Sequence, residues 1–328
     1  MDAILKVNNL TTVLDLADGT VPVVDDVSFD VGVGETLGIV GESGSGKSMT
    51  ALSIMRVLPQ PIGRIDSGSV FLGGENLLVK SDKEMTAVRG SRLGMILQDP
   101  HTSLNPVMSI GKQVIEALNI NKPKTSRSAL PAMAIDALKK VNVADPEHRI
   151  NAFPHQMSGG MKQRVVGAIA IAGAPELIIA DEPTTALDVT IQLQYLDLLK
   201  TIQTQTGMAI VFITHDLGIV ANLCHKLVVM YAGKIVERGT VKDVFEKPSH
   251  PYTEALLKSV PSVERSVERL FAIEGQPPGL TANRKGCSFA PRCRYATSVC
   301  YTQTPEEVPG LSEAPDHRAS CLHMARTP

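Results

Sequence analysis

The chain has no tryptophan, and Phe, Trp and Tyr together make up 4% of its 328 residues. An excess of charge of either sign is also lacking: 32 basic residues face 34 acidic ones, a formal net charge of −2. A dedicated nucleic-acid binder usually carries a basic excess, so that class is disfavoured, although a local patch can hide in a neutral total. Long apolar runs are missing as well. The most apolar stretch, VVGAIAIAGAPELIIA from Val165 to Ala180, is interrupted by Pro175 and Glu176 and is too short to span a bilayer. The opening MDAILKVNNL has no basic stretch leading into an apolar one, so no signal peptide is expected. The expectation is a cytosolic chain whose membrane connection, if any, runs through a partner, and in the cytosol thiols stay reduced. Cysteine is scarce, five in all, yet four of the five are Cys287, Cys293, Cys300 and Cys321 near the end.

What is present can bury a core: 43% of residues are apolar and 20% charged. The length suggests roughly two domains. AILKV and VVDDVSFDV read as strands, and ETLGIVG is a short apolar run ending in glycine. Lys47 to Leu58 has helical spacing, with Pro59 and Pro61 beyond it. Helical pattern dominates from about Asn105 to Ala172, including SALPAMAIDALKKV and a segment starting at Ser158. Strands return at Leu177 to Asp181 and Ala209 to His215, with the helix VTIQLQYLDLLKTIQTQ between them. Alternating strand and helix predicts a largely parallel, doubly covered α/β sheet. Lys226 to Gly239 reads as a hairpin turning at Ala232 and Gly233. After about His250, Pro and Cys increase and periodicity fades, which marks a module boundary.

Gly41 to Ser48 reads GESGSGKS and fits G-x-x-x-x-G-K-[ST] between a predicted strand and a predicted helix. Gly41, Gly44 and Gly46 let the backbone curl so that its N–H groups, with those of Glu42, Ser43 and Ser45, face phosphate oxygens. The helix N-terminus adds partial positive charge. Lys47 is expected to reach the β- and γ-phosphates of a nucleotide, and the Ser48 hydroxyl to ligate Mg²⁺. The strand LIIAD ends in Asp181, a metal-side carboxylate, followed by Glu182, which can orient or deprotonate an attacking water. Two acids at a strand end are more often merely solvated; the phosphate loop makes that the minor reading here.

The segment MSGGMKQR, Met157 to Arg164, resembles the signature of ATP-binding cassette (ABC) ATPases, with Met157 and Met161 departing from its commonest form. Ser158 can cap a helix there, and Gly159 and Gly160 let amides face a phosphate. Further motifs follow in the family's order. Gln98 in ILQDP resembles the glutamine of the loop that senses γ-phosphate and Mg²⁺; Asp188 in ALD resembles the loop passing between two cassettes; His215 in FITHD resembles the switch histidine. The resemblance, over about residues 3 to 250, implies a P-loop NTPase fold with an ABC-type nucleotide-binding domain and a helical subdomain at about 99–172. It implies catalytic roles for Glu182, His215 and Gln98, and Mg²⁺ contacts from Ser48, Gln98 and Asp181. It also implies that Ser158, Gly159, Gly160 and Met161 contact ATP held by a second cassette, identical or related. The family usually stacks adenine on an aromatic residue; near Val13 and Leu14 none stands, so only modest discrimination between ATP and GTP is expected.

EKPSHPYTEALLKSVP, QDPHTSLNP and the cysteine-bearing tail resemble oligopeptide/dipeptide-type importers. The implied organisation is an ABC ATPase domain over 1–250 and a small C-terminal module over 251–328. A disulfide framework for Cys287, Cys293, Cys300 and Cys321 is disfavoured in the cytosol. Their spacings are looser than the pairs usual for structural zinc, and four thiolates also suit a [4Fe–4S] cluster. Spacing alone does not choose. The resemblance favours the cluster, with zinc and unligated thiols as alternatives. Cys224 reads as a small buried hydrophobe, and His317 and His323 as surface histidines. The function implied is ATP hydrolysis that powers an importer of peptides or related small solutes. The implied partners are a second cassette, two membrane permease subunits at the cytoplasmic face of the membrane and, indirectly, an extracytoplasmic solute-binding protein, with no nucleic acid. The alternative is a soluble ABC ATPase acting on nucleic acid or the ribosome; such proteins usually carry two cassettes or a long coiled-coil insertion, and neither is present.

Overall fold

The structure is a computed structural model, and it describes residues 3–121, 124–260, 271–279, 285–312 and 314–324. In chain order the strands are β1 (Ala3–Leu16), β2 (Gly19–Gly32), β3 (Thr36–Val40), β4 (Gly63–Leu72), β5 (Glu75–Asn76), β6 (Leu93–Ile96), β7 (Leu177–Asp181), β8 (Ala209–Ile213), β9 (Lys226–Tyr231), β10 (Lys234–Thr240), β11 (Val308–Pro309) and β12 (Arg318–Ala319). The helices are α1 (Lys47–Met55), α2 (Asp82–Val88), α3 (Pro100–Ser103), α4 (Ile110–Asn121), α5 (Leu130–Lys140), α6 (Pro146–Arg149), α7 (Gly159–Ile171), α8 (Val189–Thr206), α9 (Leu217–Leu223), α10 (Val241–Glu246) and α11 (Pro251–Ser259). The chain forms two compact units. One comprises Met1–Leu5, Val31–Glu35 and Gly73–Phe212; the other comprises Lys6–Asp30, Thr36–Leu72 and Ile213–Pro328.

In the first unit β6 and β7 run parallel, pairing Leu93 with Leu177 through Ile96 with Ala180. Every residue of β7 and β8 is buried. Strands covered on both faces read as unbroken apolar runs, which is why LIIAD and AIVFI lack alternation. Between β6 and β7 lie helices α3 to α7, and α7 packs on α3, α4 and α5. Ser158 starts α7, its Oγ accepting from the Met161 N–H at 3.3 Å. Asp188 starts α8 in the same way, accepting from the Ile191 N–H at 3.0 Å. Gly207 ends α8 at φ 71°, a left-handed position that glycine fills without a side-chain clash.

In the second unit the sheet order is β11-β12-β10-β9-β3. β3 and β9 are parallel, and β9 and β10 form the expected hairpin around Ala232 and Gly233. The helix expected to Leu58 stops at Met55, because Arg56 turns left-handed (φ 52°) ahead of the prolines. A core of Tyr231, Tyr252, Phe289, Val229 and Val244 joins the hairpin, α10, α11 and the cysteine-bearing segment. Tyr231 meets Phe289 edge-on at 5.3 Å between ring centroids, and Tyr252 lies 4.6 Å from Tyr231. Such tilted and edge-on pairs follow the quadrupole of the rings. Three of the twelve aromatic residues of the chain meet here.

Candidate functional site

The phosphate loop leaves the carboxyl end of β3, where parallel sheets commonly hold ligands. Gly41 (φ 154°) passes so close to β9 that a Cβ would stand 2.2 Å from the Met230 carbonyl oxygen. Gly46 (φ 101°) opens α1, and a Cβ there would stand 2.6 Å from the Val23 carbonyl oxygen. Gly44 (φ 77°) has open space around its Cα. Lys47 is 5% exposed and folds back over the loop, donating to the carbonyl oxygens of Gly41 (2.8 Å) and Glu42 (3.0 Å). The Ser45 hydroxyl is buried without a hydrogen-bond partner among the described residues. A buried ammonium, an orphaned hydroxyl and a backbone cradle that side chains would fill together fit a phosphate chain. Ser48 is exposed on the first turn of α1.

Glu42 is fastened from outside the loop. Its N–H donates to the Tyr252 hydroxyl at 2.8 Å. Its carboxylate receives a two-pronged contact from Arg292, at 2.6 and 3.0 Å. His215, also in the second unit, is exposed just after Thr214 and before Asp216, which caps α9 by accepting from the Gly218 N–H at 2.8 Å.

The first unit holds the acidic group. The parallel register of β6 and β7 brings the two strand ends to one edge, so Gln98 and Glu182 meet although 84 residues apart. Gln98 Nε2 donates to Glu182 Oε2 at 3.2 Å, and Thr185 Oγ1 donates to the same oxygen at 3.0 Å. Asp181 is buried at the end of β7. Glu182 has φ 45°, a left-handed conformation that costs a non-glycine residue about 1–2 kcal/mol. Such strain persists where the surroundings impose it, and here it turns the carboxylate toward Gln98 and Thr185. Of the signature residues, Ser158 is exposed as the α7 cap. Gly160 is where α7 nears α8: a Cβ would sit 2.7 Å from Ile191 Cγ2. Gly159 and Met161 are half-buried in the same turn, and Asp188 caps the facing helix α8.

The expected metal site at the cysteines is corrected. Among the described residues, which include Cys287, Cys293, Cys300 and Cys321, no group of three or more His, Cys, Asp or Glu is placed to hold a metal ion. Neither the [4Fe–4S] cluster nor zinc is supported. All four thiols line one small cavity of about 20 Å³, with Phe289, Ala290 and Leu322 among its apolar walls. Burial pushes the thiols of Cys287 and Cys293 up, and that of Cys321 up to about 12. Cys321 donates its S–H to the His323 carbonyl oxygen at 2.7 Å. Protonated thiols packed among apolar side chains behave as small hydrophobes. Cys224 does the same: burial raises its thiol to about 12, and it fills the space beside Gly38.

His317 is also corrected, because it is fully buried rather than on the surface. Its Nε2 lies 2.8 Å from Glu237 Oε1, and that carboxylate also accepts the N–H groups of Ser249 (2.7 Å) and His250 (2.8 Å). His323 is exposed. Glu237, Arg292 and Tyr252 carried no sequence signal as partners of anything. Arg292 stands inside the cysteine run, which drew attention to sulfur, and 250 residues separate it from Glu42.

A family model described as ABC transporter matches residues 24–185, and one described as oligopeptide/dipeptide transporter, C-terminal region, matches 236–300. A probable peptide ABC transporter ATP-binding protein of Sinorhizobium fredii is 49% identical over 98% of this chain and 95% of its own length. The oligopeptide transport ATP-binding protein of Bacillus subtilis is 50% identical over 92% of this chain and 86% of its own. Among solved structures, a post-hydrolysis dimer of the ATP-binding cassette MJ0796 with ADP and Pi matches with a TM-score of 0.65 at 26% identity, over 72% of this chain and 98% of that one. Two matched segments and near full-length relatives lead to one conclusion: the chain belongs to the ABC transporter family, as one of its ATP-binding proteins with the oligopeptide/dipeptide-type C-terminal region.

Proposed function

We propose that the chain is the ATP-hydrolysing, energy-coupling subunit of a peptide importer. The observation that carries this is the 49% identity over 98% of the chain to a probable peptide transporter ATP-binding protein. The soluble alternative finds no support among these relatives. Lys47 and the loop Gly41–Ser48 bind the phosphates of ATP, the buried ammonium supplying charge and the loop amides direction. Ser48, Gln98 and Asp181 would hold Mg²⁺, which would supply charge neutralisation at the phosphates. Glu182 holds the attacking water and takes its proton; His215 and Gln98 complete the catalytic set. Ser158, Gly159, Gly160, Met161 and Asp188 serve the partner cassette, in which the same turn and helix start face another molecule's ATP.

Residues 1–250 form the ATPase domain and 251–328 the C-terminal module, with the helical segment 99–172 as the docking region for two membrane permease subunits. Among the described residues no helix is long and apolar enough to cross a membrane. In this reading the chain attaches through those subunits, at the cytoplasmic face. A solute-binding protein takes part only through them.

The test is Glu182→Gln, which keeps the shape of the side chain and removes the base. Nucleotide binding and ATP-dependent dimerisation are expected to persist, while turnover falls by roughly 10²–10⁴-fold. Full turnover in the variant removes Glu182 from the base role. Failure of the chain to co-purify with membrane subunits would sink the transport assignment.

A further inference from the structure

Arg292 has five N–H donors, and each has a partner. Nε donates to the Glu274 carbonyl oxygen (2.9 Å). Nη1 donates to Glu42 Oε2 (2.6 Å) and the Tyr231 hydroxyl (3.2 Å); Nη2 donates to Glu42 Oε1 (3.0 Å) and the Ile273 carbonyl oxygen (3.3 Å). The side chain is 4% exposed, and Glu42 26%. The guanidinium also lies 5.9 Å from the centroid of the Tyr231 ring. A fully saturated, nearly buried guanidinium is a fixed part of the fold rather than a wandering surface charge.

Its partner is a carboxylate of the phosphate loop itself. Glu42 is the second residue of the loop that receives the phosphates, and it carries a full negative charge into a site meant for anions. Left unpaired, that carboxylate would repel the ligand; paired with Arg292, it contributes almost no net field. The Tyr252 hydroxyl, on α11, takes the Glu42 N–H as well, so both handles of this residue are held by residues beyond position 250. Phe289 lies against Tyr231 and Tyr252 and so braces the ring platform beneath the guanidinium.

We propose that Arg292 is a positioning residue for the phosphate loop: it neutralises and anchors Glu42, and so makes ATP affinity depend on the C-terminal segment. The cysteine-bearing run then serves the nucleotide site through the arginine set within it. This rests on the nucleotide-binding reading of Gly41–Ser48.

The experiment is calorimetric titration of Mg-ATP into the full chain, with turnover measured alongside. Arg292→Gln leaves the Glu42 charge uncompensated, and the Kd is expected to rise roughly tenfold or more, with turnover at saturating ATP changed by less than about twofold. Arg292→Lys keeps the charge but not the two-pronged geometry and recovers only part of the affinity. Glu42→Gln combined with Arg292→Gln removes the repulsion, and its Kd returns to within about threefold of the parent. A Kd for Arg292→Gln equal to the parent's overturns the proposal. So does a double variant as weak as Arg292→Gln alone, because a merely structural role would give that result. If Arg292→Gln does not fold, Arg292→Lys carries the test: faster hydrogen exchange of amides 41–46 and a raised Kd support the proposal, and parent-like values of both overturn it. Absence of Mg-ATP binding by the parent chain would instead strike the nucleotide reading, and loop exchange in Arg292→Lys would still report on the anchoring.

Discussion

The three glycines of the phosphate loop look alike in the motif, but the structure assigns them different costs. Take the same change, glycine to alanine, at Gly44 and at Gly46. At Gly44 the backbone is left-handed but the added methyl meets nothing within 4 Å. Only the conformational penalty of about 1–2 kcal/mol applies, offset by about 0.4–1 kcal/mol from a less flexible unfolded chain. The net loss is about 0–1.6 kcal/mol. At Gly46 (φ 101°) the methyl would stand 2.6 Å from the Val23 carbonyl oxygen and 3.3 Å from Gly233 Cα, backbone on both sides. Neither neighbour is a flexible side-chain end that can swing away. Overlap adds about 1–3 kcal/mol to a strain of about 1–3 kcal/mol, so Gly46→Ala costs about 2–6 kcal/mol. Gly41→Ala belongs with Gly46→Ala, its methyl 2.2 Å from the Met230 carbonyl oxygen. Urea unfolding of the nucleotide-free chain reads the stability, and Mg-ATP titration reads the loop. The expected order of damage is Gly44 well below Gly46 and Gly41. Equal losses at Gly44 and Gly46, or a neutral Gly41→Ala, would refute the reasoning.

Acid sensitivity follows from His250. It is fully buried, its Nδ1 accepts the Tyr252 N–H at 3.1 Å, and burial pushes its pKa down to about 3. A proton that binds the unfolded chain near pH 6.5 but not the folded one lowers stability as pH falls from about 6.5 toward 3; above 6.5 both states are neutral and the penalty vanishes. Between pH 7 and 5 this one group accounts for about 2 kcal/mol. His250→Asn, which can still cap α11, is expected to reduce the pH 7-to-5 loss by that amount in urea titrations; an unchanged loss would remove His250 from the acid response. For the base, Val13 is buried and Leu14 half-buried at the expected contact, with no aromatic ring at either position. GTP is therefore expected to compete with ATP within about an order of magnitude, since apolar contact discriminates weakly. A strong ATP preference in a competition assay would count against that.

Local signals carried much of this protein. LIIAD predicts β7 to the residue, because a strand buried on both faces is a bounded apolar run and Asp181 is where burial meets the strand end. GESGSGKS predicts a glycine-lined turn into α1, because Gly41, Gly44 and Gly46 all adopt backbone conformations that other residues avoid. Ser158 was readable as a helix start, since a cap needs only a side-chain oxygen and an N–H three residues on; the same role of Asp188 at α8 came from the structure. The four cysteines mark the limit of such reading. Thiol count and the family resemblance suggested a metal, whereas burial raised the thiol pKa of Cys287, Cys293 and Cys321 and packing set all four around one small cavity with apolar walls.

Pairings between distant positions were decided only by the tertiary structure. Gln98 meets Glu182 because β6 and β7 share a parallel register. His317 meets Glu237 because β12 joins β10 from 80 residues away. Arg292 meets Glu42 across 250 residues because Phe289, Tyr252 and Tyr231 form a shared core. The sequence by itself determined which segments are strands, caps and phosphate-binding turns, since those rest on backbone preferences of neighbouring residues. Which charge compensates which was left to the fold, because compensation depends on distance in space and on exclusion of water, and neither is written in the spacing along a chain.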